Sequence, residues 1–88
     1  MAGIAEMPGQ DQVGRRLDLR GLKCPLPAMK TRVALGMMRA GERLTVLATD
    51  PMSAIDVPHA ATGAGGAILQ QYREGATQVF EIEKSGQL

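Results

Sequence analysis

Hydrophobic and polar positions along this chain predict six elements. Leu17 and Leu19 sit between Arg16, Asp18 and Arg20, the period-two pattern of a short strand. Gly21 then permits a turn. Over residues 25–39 the apolar positions Leu26, Met29, Val33 and Met37 recur at spacings of three and four, which is one face of a helix. That stripe predicts the core face, with Met29 and Met37 as core residues. Leu35 and Met38 fall outside it, so the amphipathicity is imperfect. Gly41 reads as the helix C-terminal cap, and Arg39 complements the negative end of the dipole.

Residues 44–48, Leu-Thr-Val-Leu-Ala, read as a second strand. Asp50-Pro51 predicts the start of a second helix, with Asp50 as N-cap and Pro51 at the first helical position. Pro58 falls inside that helix and predicts a kink or a new turn, and the glycines at 63, 65 and 66 end it. Residues 67–73 read as a third strand, 74–76 as a hairpin turn and 77–84 as a fourth strand, where Phe80 and Ile82 share a face. The order is β-α-β-α-β-β. It predicts an α/β (α+β) two-layer sandwich, with two helices on one face of a four-stranded mixed sheet.

Composition narrows what such a fold can do. Eighty-eight residues make one small domain with modest burial, so chemistry is expected at the surface or against a partner. Residues 1–14 lack periodicity and read as a flexible N-terminal tail, leaving residues 15–85 as the single domain. A net charge of +1, two aromatic residues and the lack of a basic run argue against direct nucleic-acid binding. No apolar run is long enough for a membrane span and the N-terminus does not read as a signal peptide, so a cytoplasmic location is expected. A single cysteine excludes an internal disulfide and fits a reducing compartment.

That cysteine stands in Gly21-Leu22-Lys23-Cys24-Pro25-Leu26-Pro27. The pattern predicts Cys24 at the N-cap, Pro25 at the first helical position and Pro27 at the third, where missing N–H groups cost no helical hydrogen bonds. Leu26 keeps its N–H, which is then the expected donor to the Cys24 sulfur. The helix dipole and the cations Arg20 and Lys23 are further candidates for positive potential there. The thiolate is the reactive form. Lowering a free cysteine from a pKa of about 8.5 to about 7 raises its thiolate fraction near neutrality from about 3% to about half. The expectation is a moderately lowered pKa. A pKa above that of a free cysteine would instead count against a reactive role.

Other residues carry weaker signals. His59, the single histidine, has no spacing that brings it to Cys24, and a surface or structural role is expected. One cysteine and one histidine cannot close a zinc site, and neither a metal nor a cofactor is expected. Asp50 and Asp56 are explained by capping and by a solvated second-turn position. The glycines at 63–66 follow a helix, so they do not form a phosphate-binding loop, which follows a strand and opens a helix.

The segment from Gly21 to Pro27 resembles the signature of the TusA/SirA sulfur-carrier family. The resemblance continues through Asp50-Pro51, Asp56-x-Pro58 and Gly65, and covers about residues 16–84. It implies the same β-α-β-α-β-β sandwich, with Cys24 at the sulfur-carrying position and Pro25 and Pro27 as its supporting prolines. It implies cytoplasmic sulfur relay as a sulfurtransferase-type carrier. A donor such as a cysteine desulfurase loads the cysteine as a persulfide, and a downstream acceptor protein takes the sulfur toward tRNA thiolation or oxidative sulfur metabolism. Residues 59–64 lack the bulky and basic side chains often found there in the family, which bears on partner identity. The alternative is a non-catalytic regulatory or protein-interaction module of the same fold, with Cys24 incidental.

Overall fold

The computed structural model describes residues 15–85, so the tail expected over residues 1–14 lies outside the described residues. The elements are β1 (Arg15–Leu19), α1 (Leu26–Gly36), β2 (Arg43–Ala48), α2 (Ser53–Gly63), β3 (Gly66–Glu74) and β4 (Thr77–Lys84), the order that the pattern predicts. The sheet runs β1-β2-β4-β3; β1 is parallel to β2, and β4 is antiparallel to both neighbours. It is a four-stranded mixed sheet. The register sets Leu17 and Phe80 beside Val46, and Ile82 beside Leu44. These alternate positions face both helices in one core with Leu35, Met38, Val57 and Ala61. The opposite face carries Thr45, Leu47, Val79 and Glu81, and the Thr45 hydroxyl donates to Glu81 Oε1 at 2.8 Å. No helix among the described residues is long and apolar enough to cross a membrane.

The face of α1 corrects the sequence expectation. Leu35 is fully buried, whereas Leu26, Met29, Val33 and Met37 are 41%, 53%, 62% and 69% exposed. The core face is Pro27, Thr31, Leu35 and, just past the helix, Met38. At 100° per residue these two stripes lie about 150° apart, and spacing alone cannot choose between them. Thr31 concealed the true face. Its polar hydroxyl is buried because it donates to the Pro27 carbonyl one turn back, at 2.8 Å.

The helix ends also differ. The first helix stops at Gly36; the cap residue Met37 returns its N–H to the Ala34 carbonyl and Met38 returns its N–H to the Leu35 carbonyl, each at 3.1 Å. Lys84 Nζ then donates to the Leu35 and Met38 carbonyls, the cationic end-cap that Arg39 was expected to favour. Gly41 lies beyond the helix, in the turn that leads to β2, with its N–H on the Lys84 carbonyl. The second helix begins at Ser53 with Met52 as cap, so Asp50 and Pro51 precede it. Pro58 does lie inside α2 and cannot donate to the Ala54 carbonyl one turn earlier. The Gln71 side-chain amide from β3 donates to that carbonyl at 3.2 Å. Gly66, opening β3, permits the tightest approach: a Cβ there would lie 2.9 Å from Ile82 Cγ2 and 3.1 Å from both the Ala61 carbonyl oxygen and Leu35 Cδ1.

Candidate functional site

The segment between β1 and α1 is held from both sides. Gly21, in the left-handed region at φ +87°, donates its N–H to Thr49 Oγ1 at 2.9 Å. Leu22 returns its N–H to the Leu19 carbonyl at 3.2 Å and packs partly against the core. Lys23 and Cys24 are both exposed. The Cys24–Pro25 peptide is cis. Pro25 itself is the N-cap and Leu26 the first helical residue, so Cys24 sits one residue outside the cap and Pro27 at the second helical position. All three expected positions, those of Cys24, Pro25 and Pro27, therefore shift by one.

That shift removes the expected donor to sulfur. The Leu26 N–H points to the Lys23 carbonyl at 2.8 Å. The Cys24 backbone N–H is taken by Asp50 Oδ2, while Asp50 Oδ1 accepts the Met52 N–H at 3.1 Å. One carboxylate thus ties the cysteine loop to the entry of α2, in place of the helix cap expected of Asp50.

The Cys24 thiol donates to Asp56 Oδ2, 3.2 Å away on α2. Asp56 is half-buried, not the solvated second-turn residue expected from its spacing. This contact overturns the expected electrostatics. Accepting from the thiol, Asp56 pushes the Cys24 pKa up from its ordinary value. Desolvation and then the negative charges of Asp56 and Asp50 act in the same direction. Arg20 supplies no counterweight, because its guanidinium grips Asp18 through Nε at 2.8 Å and Nη2 at 2.6 Å. That grip lowers the Asp18 carboxyl to about 2, chiefly through the side-chain hydrogen bond from Arg20. The exposed Arg20–Asp18 pair is a local brace of the β1 end.

The structure therefore brings Gly21, Leu22, Lys23, Cys24, Pro25, Leu26 and Pro27 together with Asp50 and Asp56, and leaves Arg20 engaged elsewhere. His59, three residues beyond Asp56 on α2, is exposed. Asp56 is the residue that sequence reasoning undervalued. Its signal was its place in the Asp56-x-Pro58 part of the family resemblance, set aside because an isolated aspartate on a helix has an inexpensive explanation.

Two comparisons bear on this arrangement. The profile of the family described as Sulfurtransferase TusA matches residues 15–84. The chain is also 38% identical over 71 residues to a protein named "Sulfur carrier protein TusA" from Allochromatium vinosum, covering 81% of this chain and 93% of that one. A protein of the same name from Pseudomonas putida is 38% identical over 68 residues, covering 77% of this chain and 85% of that one. With a cysteine motif opening α1 on a β-α-β-α-β-β sandwich, and with these matches running from β1 to β4, the chain belongs to the TusA sulfurtransferase family.

Proposed function

We propose that this protein is a sulfur carrier that accepts sulfane sulfur on Cys24 as a persulfide and relays it, in the cytoplasm, from a donor protein such as a cysteine desulfurase to a downstream acceptor protein. The observation that carries this reading is an exposed thiol on the loop opening α1, in a chain of the TusA family. An exposed sulfur is reachable by a second protein's persulfide, as exchange at sulfur requires. The chain has one cysteine, so the thiol that later takes the sulfur belongs to another molecule. Gly21, Leu22, Pro25, Leu26 and Pro27 shape the loop, and Lys23 stands beside the sulfur-bearing residue. The exposed stripe of Leu26, Met29, Val33 and Met37 starts two residues from Cys24 and supports docking of donor and acceptor on that side.

One observation favours the second reading, a protein-interaction module in which the thiol does no chemistry. The Cys24 pKa is raised, not lowered. A raised pKa leaves less thiolate at neutrality than a free cysteine has, so this thiol is not activated on its own. Intact-mass spectrometry separates the readings. After incubation with a cysteine desulfurase and cysteine, the carrier gains one sulfur, and Cys24→Ser abolishes the gain. No gain with a desulfurase or with small persulfide donors establishes the interaction module instead.

A further inference from the structure

We propose that Asp56 is a catalytic residue of sulfur loading: it takes the proton from the Cys24 thiol as the sulfur attacks and passes it to the departing donor. This rests on the carrier reading above and adds to it the proton path.

The geometry distinguishes the two carboxylates at the site. Asp50 is committed to amides, with one oxygen on the Cys24 N–H and the other on the Met52 N–H. Asp56 Oδ2 meets the sulfur itself at 3.2 Å, within reach for direct proton transfer. Asp56 also arrives from a different element. Its neighbour Val57 is fully buried in the core, which fixes this turn of α2 against the sheet. The charges that weigh on the thiol are Asp56 from α2 and Asp50 from the loop before it. Lys23 on the cysteine loop and His59 on α2 are exposed, and Arg20 at the end of β1 is held by Asp18.

A thiol held in its protonated form needs a base at the moment of attack, and a group already hydrogen-bonded to it is placed for that role. In loading, a lone pair on Cys24 Sγ attacks the outer sulfur of the donor persulfide. The new S–S bond forms as the donor's own S–S bond breaks, with its electron pair leaving on the donor sulfur. The proton moves from Cys24 to Asp56 Oδ2 and then to that donor thiolate. The transferred sulfur keeps its oxidation state, so the exchange needs no oxidant or reductant. In unloading the path runs in reverse: Asp56 takes the proton of an acceptor thiol as that sulfur attacks the outer sulfur of the Cys24 persulfide, and passes it to the Cys24 sulfur as the S–S bond breaks.

The test compares two reactions of the same thiol in the wild type, Asp56→Asn and Asp56→Glu. Alkylation by iodoacetamide reports thiolate alone. Loading from glutathione persulfide, followed by intact mass across a pH series, reports the exchange. Removing the carboxylate's charge is expected to speed alkylation of Asp56→Asn at neutral pH, with its pH midpoint moving down. Loading is expected to slow by about tenfold or more in the same variant. Asp56→Glu, which keeps the carboxylate, is expected to restore much of the loading rate and the wild-type pH profile. Loading that rises in step with alkylation in Asp56→Asn, or is unchanged, overturns the proposal, as does an Asp56→Glu variant no better than Asp56→Asn. A wild-type chain that takes up no sulfur from any donor overturns the carrier reading itself, so the two failures are distinct.

Discussion

The two apolar stripes of α1 have similar composition and opposite surroundings. Pro27, Thr31 and Leu35, with Met38, close the core, while Leu26, Met29, Val33 and Met37 face outward. Judged by side chains alone the outer stripe is the better core, since it has no hydroxyl. What selects the inner one lies elsewhere in the chain. Gly66 lets Leu35 Cδ1 approach the β3 backbone, and Lys84 ties the end of α1 to the last strand through the Leu35 and Met38 carbonyls. The orientation of this helix is set by what the sheet offers at two points. The surplus apolar stripe is left exposed, beginning two residues after the cysteine.

The contrast can be broken by substitution. The largest effect is expected at Leu35, where truncation to Ala empties the centre of the core and costs about 2–5 kcal/mol in denaturant unfolding. Next comes Gly66→Ala. Its new Cβ meets the Ala61 backbone as well as Ile82 and Leu35, and a loss of about 1–3 kcal/mol is expected. The smallest effect is expected on the outer stripe. Val33→Ser and Met37→Ser should stay within about 0.5 kcal/mol of the parent while weakening capture by a sulfur donor. Equal destabilisation by Leu35→Ala and Val33→Ser would show that the two faces are misassigned.

Much of the fold was legible because strand alternation, the glycine turns and the hairpin at Gly75 are local signals. Residues 77–84 needed only Phe80 and Ile82 to declare their face. The orientation of α1 was not legible, since Thr31 reads as polar until its hydroxyl is seen on the Pro27 carbonyl. At the site, the Cys24 motif was visible as a contiguous run. The Asp56 contact joins residues 32 apart, and no spacing rule relates a thiol on one helix entry to a carboxylate on another helix. The same gap explains the reversed electrostatics. Local reasoning counted the dipole and the neighbouring cations, whereas the groups that act on sulfur arrive through tertiary structure.

The Asp50 carboxylate, with one oxygen on the Cys24 amide and the other on the Met52 amide, has a consequence for breathing motions. The loop that bears the sulfur cannot swing open while the start of α2 stays closed, unless that carboxylate lets go of one of them. The amide protons of Cys24 and Met52 should therefore exchange with solvent as a single opening unit, and Asp50→Ala should split them into two.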